Sequence, residues 1–243
     1  MYTINDSFIG YSENFRHESF SGSDTVDLFK TNLKTKPIDW YYRTAKVDYH
    51  RNSLGHRSKE ISDIDLDNYI LSVGCSLTEG IGIEYDKTYI HVLAGMMQCD
   101  YYNMGIGGHG IQTVLHNTLV WFNKIKKKPK LLVIQKPDPC RFPIFKDPAI
   151  LPGSINTKDK NIVEFAVVGD QVNYWNTIHY LAMIQLNSFD VPIIEISPYG
   201  YDETGKNISF ELIDTGRDNH PGIESNKKIA TSIYDNLKEK GLL

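Results

Sequence analysis

One stretch decides the fold: Tyr69-Ile-Leu-Ser-Val-Gly74-Cys75-Ser76-Leu77-Thr78-Glu79-Gly80. Its first five residues are mostly apolar and include aromatic and β-branched side chains, which is typical of a central strand covered on both faces. Gly74 ends this strand, and the glycine-rich residues after it turn the backbone. A serine at the carboxyl end of a parallel strand lies where open α/β sheets bind their ligands. The stretch therefore predicts a buried strand followed by a turn that presents Ser76.

Strand-like and helix-like segments alternate after this stretch. The predicted strands are residues 101–104, 130–135 and 191–197, and the predicted helices are residues 87–98, 111–126, 171–188 and 224–240. This alternation favours a parallel sheet with helices on both faces, joined by right-handed crossovers. We expect an α/β fold, a three-layer α/β/α sandwich around a central, mostly parallel sheet of about five strands. Residues 163–168 are a further candidate strand.

Residues 1–60 differ from the rest of the chain, because they are polar and aromatic and carry no long helical or strand period. We interpret them as an irregular N-terminal arm that packs on, or extends from, an α/β/α domain of residues 61–243. The aromatic cluster at residues 39–43 either pins the arm to the core or offers a surface to a sugar or a protein partner. Residues 143–169, which carry Pro, Gly, Asn and Lys, are interpreted as an insertion or hairpin beside the site.

The composition is that of an ordinary globular protein. The chain has 243 residues, of which 41% are hydrophobic and 23% are charged, and this length is sufficient for one sizeable α/β domain. The net charge of -4 gives no indication of a nucleic-acid partner or an anionic membrane partner. We therefore expect no nucleic acid among the ligands.

Three further features of the sequence bear on the compartment of the protein and on its cofactors. Three scattered cysteines argue against a disulfide framework and fit a reducing compartment. The first residues predict no signal peptide, and no apolar stretch approaches the ~20 residues that a membrane helix needs, so we expect a cytoplasmic protein without a membrane partner. No pattern of His, Cys and Asp has metal-ligand spacing, and residues 105–110 do not have the spacing of a dinucleotide fingerprint. The sequence therefore predicts neither a metal nor a cofactor.

A serine becomes a nucleophile only when a base lies within hydrogen-bond reach. Of the eight histidines, His220 stands out because Pro221 and Gly222 place it on a loop just before the last predicted helix. Asp214 and Asp218 are close enough in sequence to orient its ring, as a general base requires. Taken alone, a histidine in a loop is more often structural or simply exposed, so its pairing with the serine is a hypothesis.

The chain also contains candidates for oxyanion donors. Gly107 and Gly108 leave backbone N–H groups unshielded by a side chain, as close approach to a ligand requires. Fixed N–H donors of this kind often make the largest contribution to catalysis in acyl transfer. A glycine-rich strand-to-helix turn would explain the same residues without any catalysis.

In order and spacing, these segments resemble the SGNH (GDSL-like) hydrolases across roughly residues 50–235. Gly74–Gly80 is similar to the first block of that family, which carries the nucleophile, here Ser76. Asn103–Gly108 is similar to the second block, whose last glycine, here Gly108, donates its N–H to the oxyanion.

Two more segments support the resemblance. Asp218-Asn-His220-Pro221 is similar to the fifth block, whose Asp and His complete the triad, and residues 52–57 resemble the Asn-Ser-x-Gly-x-Arg segment that precedes the serine block. The resemblance implies the flavodoxin-like SGNH fold and a serine ester hydrolase that forms an acyl-enzyme on Ser76. It also implies a small acyl ester as substrate, for instance an O-acetyl group on a carbohydrate.

The chain departs from the family pattern around the triad. Cys75 stands where the family has Asp or Asn, and it is a rival nucleophile, although alternation along the strand points it away from Ser76 and into the core. Asp218 precedes His220 by two residues instead of three. Either the loop lacks a residue, or Asp214 orients the histidine, or a backbone carbonyl does.

The third block departs further. Residues 131–141 occupy its place but lack Gly-x-Asn-Asp, and Pro139 falls near the asparagine position. One oxyanion donor is therefore missing or is supplied by another residue, for which Gln135 and Lys136 are candidates. Losing one such donor typically costs on the order of 100-fold or more in turnover.

Three other polar residues are candidates for the substrate pocket. Arg141 and Arg57 either bind a carboxylate of the substrate or the triad, or tether loops through ion pairs. His109, beside Gly108, either lines the pocket or faces solvent.

The leading interpretation is a serine ester hydrolase that acts on a small acylated substrate or glycan. The alternative is a catalytically weak or inactive SGNH-fold scaffold, or a glycan- or partner-binding module such as a component of a viral particle. In that case the N-terminal arm is the expected surface for a protein partner. A third interpretation is an acyltransferase, in which an alcohol replaces water.

Overall fold

The computed structural model describes residues 2–138, 140–146, 149–154, 171–197, 208 and 212–243. The strands in these ranges are β1 (Tyr2–Asn5), β2 (Phe8–Tyr11), β3 (His17–Glu18), β4 (Tyr49–His50), β5 (Tyr69–Gly74), β6 (Asp100–Gly105), β7 (Leu131–Gln135), β8 (Arg141–Lys146), β9 (Ala149–Ser154) and β10 (Ile193–Ile196). The α-helices are α1 (Val26–Thr35), α2 (Ser76–Glu79), α3 (Tyr89–Met97), α4 (Ile111–Lys124), α5 (Gln171–Asn187) and α6 (Ile223–Glu239). Short 3₁₀ turns lie at Glu13–Phe15, Tyr41–Arg43, Ile61–Asp63 and Tyr85–Lys87.

The central sheet has four strands within the described ranges, in the order β10–β7–β5–β6, and each neighbouring pair is parallel. The strand that leads to the serine, β5, is paired on both sides, as expected for a central strand. Counted along the chain, the order is 2-1-3-4, which is that of flavodoxin-like folds. Residues 163–168, the further candidate strand, lie outside the described residues, so the structure describes four of the expected strands.

Side chains along β5 alternate between two apolar layers. Leu71 and Val73 pack with α4 and α5 on one face, whereas Ile70 packs with α3 and α6 on the other. Because helices cover both faces, the strand is apolar nearly throughout. The three-layer α/β/α sandwich is confirmed. Among the described residues, no helix has the length and apolar character needed to span a bilayer.

The N-terminal arm is more regular than its sequence pattern predicts. Residues 2–11 form the hairpin β1–β2, and Asp6 and Ser7 in its turn have φ angles of 46° and 73°. Two positive φ angles are what a two-residue type I′ turn requires. The helix α1 begins after Thr25, whose Oγ1 accepts the N–H of Leu28 as an N-terminal cap. The two strands have four residues each, too few to produce a recognisable period, whereas α1 is a ten-residue helix that the sequence interpretation missed.

The hairpin of the arm joins a second, antiparallel sheet of order β2–β1–β9–β8. Tyr2 pairs with Ile150 across the contact of β1 with β9. β8 and β9 form a hairpin where the sequence predicted an insertion, and residues 147, 148 and 155–169 of that segment lie outside the described residues. The boundary of arm and domain at residue 60 stays a prediction.

The aromatic cluster at residues 39–43 packs against the domain. Tyr42 is 3% exposed and lies in one apolar cluster with Tyr49, Ile81 and Ile83. Of the two alternatives for this cluster, the contacts therefore fit the one in which it pins the arm to the core.

Candidate active site

Three side chains predicted from the sequence meet in one hydrogen-bonded chain. Ser76 Oγ lies 2.7 Å from His220 Nε2, and His220 Nδ1 lies 2.7 Å from Asp218 Oδ2. Because a carboxylate only accepts, the proton of the neutral ring belongs on Nδ1, and Nε2 can accept from the serine hydroxyl. Asp218 is fully buried and Ser76 is 6% exposed, whereas the His220 side chain is 21% exposed. The arrangement is one that activates a serine hydroxyl.

Ser76 opens the short helix α2 directly after β5. The N–H of Cys75 donates to Gln135 Oε1 at 2.7 Å, which ties the serine turn to the end of the neighbouring strand β7. Gly80 ends α2 in the left-handed region, at φ 80°, and its N–H donates to Ser76 O at 3.0 Å. After β5 the chain continues to β6 at one edge of the sheet, and after β7 it continues to β10 at the other edge. The serine at the end of β5 therefore lies at the topological switch point, where parallel sheets have a ligand-binding crevice.

The rival nucleophile Cys75 is fully buried, with Sγ 3.8 Å from Ser76 Oγ. Among the described residues it is Ser76 Oγ, and not Cys75 Sγ, that contacts the ring of His220. Cys75 is therefore buried in the core, as the alternation of side chains along β5 predicts.

An Asx turn accounts for the short spacing of Asp218 and His220. Asp218 Oδ1 accepts the backbone N–H of His220 at 3.0 Å, while Oδ2 faces the ring. One carboxylate thus holds both the backbone and the imidazole of the same residue. The loop is fastened by the N–H of Gly216, which donates to His220 O at 2.8 Å, and by a bridge of Thr215 with Pro221.

Asp214 does not orient His220, so this alternative from the sequence is wrong. Its Oδ1 accepts the N–H of Ser225 at 2.7 Å, and its Oδ2 accepts that of Glu224 at 3.1 Å. Both N–H groups belong to the first turn of α6, where a carboxylate satisfies free donors and interacts favourably with the helix dipole. Asp214 is therefore a capping residue.

The carboxyl of Asp218 is held in its charged form. Burial alone would raise its pKa, but hydrogen bonds from His220 and Ser23 and the charge of His220 outweigh burial, so the pKa lies below its ordinary value. A charged carboxylate behind the ring stabilises the imidazolium that forms when His220 takes up a proton.

The arm contributes a residue that the sequence patterns missed. Ser23 Oγ donates to Asp218 Oδ2 at 2.8 Å and lies 3.3 Å from His220 Nδ1. The next residue, Asp24, is 1% exposed and forms an ion pair with Arg217, whose Nε donates to Oδ1 at 2.9 Å. The arm therefore holds the loop that carries Asp218 and His220 by a hydrogen bond and an ion pair. No local pattern signals this role, because the partners are almost 200 residues apart.

Two backbone N–H groups are candidates for the oxyanion site. Among the described residues, no intramolecular hydrogen bond uses the N–H of Ser76 or of Gly108. Gly108 has a φ of 79°, which favours glycine, and it is only half-buried. The N–H of Gly107, by contrast, donates to Glu79 Oε2 at 2.7 Å. Of the two glycines, only Gly108 has its N–H available.

Both candidate substitutes for the third-block asparagine are engaged with other groups. Gln135 is fully buried, its Oε1 accepts the N–H of Cys75, and its Nε2 donates to Lys136 O at 2.6 Å. Lys136 Nζ lies 2.7 Å from Glu195 Oε2. Gln135 supports the serine turn instead of the oxyanion. Pro139 lies outside the described residues.

The three predicted pocket residues lie elsewhere. Arg57 is 1% exposed and donates to the carbonyl oxygens of Asp48, Glu79, Gly80 and Ile83, which makes it an internal tether. His109 is fully buried with Nδ1 2.9 Å from Thr113 Oγ1, and burial lowers its pKa to about 4. Arg141 begins β8. None of the three is among the described residues that line the cavity beside the triad.

This cavity has a volume of about 180 Å³. The described residues that line it are Ser23, Leu28, Leu77, Leu212, Asp218, Asn219, His220 and Pro221. Asp218 and His220 of the triad line it together with apolar side chains, whereas Ser76 and Gly108 are not among the described lining residues. Pockets for drug-sized ligands are roughly 300–1,000 Å³, so this cavity suits a small group. Within the described ranges, no three His, Cys, Asp or Glu side chains are arranged to hold a metal ion.

No protein-family model and no curated protein matches the sequence. Solved structures similar to this chain include an acetyl xylan esterase from the rumen bacterium Butyrivibrio proteoclasticus, 18% identical, with a TM-score of 0.43 over 72% of this chain and 64% of that one. A psychrotrophic esterase from Pseudoalteromonas sp. is 14% identical, with a TM-score of 0.42 over 71% and 98% of the two chains. A member of the lipolytic G-D-S-L family from Veillonella parvula is 11% identical, with a TM-score of 0.38 over 70% and 98%. The structures similar to this chain thus include G-D-S-L lipolytic proteins, carbohydrate esterases and another esterase.

Proposed function

We propose that the protein is a serine ester hydrolase. The observation that carries the proposal is the 2.7 Å contact of Ser76 Oγ with His220 Nε2, with Asp218 behind the ring. The nucleophile Ser76 and the base His220 are 144 residues apart, and only the folded chain brings them together. A hydrogen-bonded chain of this kind is what acyl transfer by a serine requires.

In the proposed reaction, Ser76 Oγ attacks the acyl carbonyl while His220 Nε2 takes the hydroxyl proton. The N–H groups of Ser76 and Gly108 donate to the oxyanion, and Asp218 stabilises the imidazolium. His220 then gives the proton to the leaving alcohol, which leaves an acyl group on Ser76. Water, deprotonated by the same ring, hydrolyses this acyl-enzyme and restores the serine.

A small substituent on the ester fits the cavity beside His220, although Ser76 is not among the described residues that line it. A volume of about 180 Å³, with Leu28, Leu77, Leu212 and Pro221 in its wall, accommodates a short acyl or alkyl group more readily than a long chain. A small acyl group on a polar alcohol, such as an acetyl group on a carbohydrate, is the substrate class that we propose.

The test compares wild type with Ser76→Ala and Cys75→Ala, using p-nitrophenyl acetate and a fluorophosphonate probe. We expect wild type and Cys75→Ala to hydrolyse the ester and to be labelled. Ser76→Ala should lose both properties, with a rate reduced on the order of 10⁶-fold or to background. Labelling that persists in Ser76→Ala and disappears in Cys75→Ala would reject the assigned nucleophile.

One observation favours the alternative, a scaffold or binding module on the same fold. Gln135 and Lys136, which could replace the missing oxyanion donor, are both engaged elsewhere. Absence of one donor costs on the order of 100-fold or more, so slow turnover is expected even if the triad works. Wild-type protein that neither hydrolyses the ester nor reacts with the probe would support this alternative.

A further inference from the structure

Both backbone polar groups of Gly107 are held by buried side chains. Its N–H donates to Glu79 Oε2 at 2.7 Å, and its carbonyl oxygen accepts from the hydroxyl of Tyr2 at 2.8 Å. Tyr2 is 8% exposed and Glu79 is fully buried. The peptide that joins Gly107 to Gly108 is therefore fixed by a residue of the first strand of the arm.

This peptide carries the N–H of Gly108, one of the two available N–H groups of the candidate oxyanion site. In a planar trans peptide, the carbonyl of one residue and the N–H of the next point in opposite directions. A hydrogen bond from Tyr2 to Gly107 O therefore sets the direction of the Gly108 N–H. The peptide lies next to the nucleophile, because a Cβ on Gly107 would stand 3.8 Å from Ser76 Cβ.

The Gly107–Gly108 peptide needs such contacts because glycine restricts the backbone so little. Gly108, at a φ of 79°, has no side chain to restrict the peptide, so the peptide plane would rotate easily without outside contacts. A donor that stabilises an oxyanion must be oriented before the reaction begins, because reorientation during the reaction reduces its contribution.

Glu79, which accepts the N–H of Gly107, is itself held by buried side chains. Arg51 Nη2 lies 2.7 Å from Glu79 Oε1, and both side chains are fully buried. Tyr11 donates to Glu79 Oε2 at 3.0 Å, and its ring lies 3.6 Å beneath the Arg51 guanidinium. The positive charge of Arg51 also offsets a carboxylate that would otherwise oppose a developing oxyanion.

From these contacts we propose that Tyr2 is a positioning residue of the active site, which orients the Gly108 N–H toward the oxyanion. The proposal rests on the proposed ester hydrolysis. It gives the N-terminal strand a catalytic purpose beyond packing. Tyr2 does not touch the reacting atoms, and it acts only through the Gly107 carbonyl.

The test compares Tyr2→Phe with Tyr69→Phe in the full chain. Tyr69 is the control, since its buried hydroxyl also donates to a backbone carbonyl, Lys127 O at 2.7 Å, and accepts from Trp121 Nε1 at 3.0 Å, at the amino end of β5, away from the serine. We expect kcat of Tyr2→Phe to fall about tenfold with KM unchanged, less than the roughly 100-fold loss of a whole donor. The pH profile should keep its shape because the triad is intact.

Two further readouts separate positioning from stability. Affinity for a boronic acid, which forms a tetrahedral adduct with the serine, should fall in Tyr2→Phe by the same factor as kcat/KM, and it should be unchanged in Tyr69→Phe. Midpoints of denaturant unfolding should decrease in both variants. If the wild type is active and the two variants have equal kcat, the role of Tyr2 is overturned, whereas ester hydrolysis is not. Inactive wild type would overturn the ester hydrolase and this proposal together.

Discussion

At the carboxylate of Asp218, donors from two distant parts of the chain converge. The backbone and ring of His220 occupy both oxygens, and Ser23 adds a third hydrogen bond from the arm. A carboxylate with several donors stays charged and keeps one orientation. Ser23 is exposed, so water can partly replace its hydroxyl when it is removed.

We therefore expect Ser23→Ala to lower kcat/KM of ester hydrolysis by about fivefold, the equivalent of roughly 1 kcal/mol for one hydrogen bond. Ser23→Thr, which retains the hydroxyl, is the control and should keep most of the activity. Steady-state kinetics of the two variants and wild type measure the difference. An identical decrease in both variants would show that the side chain at position 23 acts by its size and not by its hydroxyl.

The sequence predicted some of these residues and not others for a physical reason. Ser76 and His220 lie in short motifs whose glycine and proline neighbours signal a loop. The choice of Asp218 over Asp214 depends on an Asx turn and a helix cap, which differ by geometry and not by residue type. Arg57 carries a charge that could bind a substrate, but it is buried and donates to backbone carbonyl oxygens, so it tethers the chain segments around it.

Among the elements, α4 holds strand β2 of the arm through the amide of Asn117, while His116 and Lys124 of the same helix contact the turn of the hairpin. Asn117, which is 1% exposed, accepts the N–H of Ile9 through Oδ1 and donates to Ile9 O through Nδ2, both at 2.8 Å. The side chain thus pairs with β2 much as a neighbouring strand would. This contact joins the helix to the sheet that contains Tyr2.

Replacing Asn117 by Ala should leave the N–H and the carbonyl of Ile9 with fewer partners in a buried position. We expect a loss of about 1–3 kcal/mol in the free energy of unfolding and faster hydrogen exchange in residues 2–11. The control is Asn123→Ala, an exposed asparagine of the same helix, which should change neither quantity appreciably. Unchanged exchange in residues 2–11 of Asn117→Ala would contradict the role of this amide.

Elements of the central sheet were predictable because each strand carries its own apolar run. The hairpin β1–β2 was not, since its strands have four residues each and gain their partners, β9 and Asn117, from distant parts of the chain. Short strands depend on such tertiary contacts, whereas buried parallel strands are marked by composition alone.

Across the whole molecule, two buried histidines link the arm to the α/β/α domain. His56 Nε2 donates to Ile9 O at 3.1 Å, and its Nδ1 lies 3.0 Å from the hydroxyl of Tyr102. The ring of His109 meets that of Tyr2 edge-on at 4.3 Å between centroids. Burial lowers the pKa of both histidines to about 4, so the folded protein keeps them neutral.

These pKa values predict how stability depends on pH. In the unfolded chain a histidine has a pKa near 6.5, so between about pH 6.5 and 4 the unfolded state binds more protons than the folded state. Stability should therefore fall as the pH decreases through this range. Each of the two rings should contribute about 2 kcal/mol of loss between pH 7 and 5.

Denaturant unfolding at pH 7, 6 and 5 measures this loss directly. His56→Gln, whose amide can still donate to Ile9 O, should reduce the loss by about half, even though its stability at pH 7 is lower than that of wild type. The exposed Asn123 provides the control, because Asn123→Ala removes no titratable group and should leave the full dependence in place. Stability that stays constant or rises on acidification to pH 5 would mean that these rings are accessible to protons in the folded state, and that the arm is not sealed against the domain around His56.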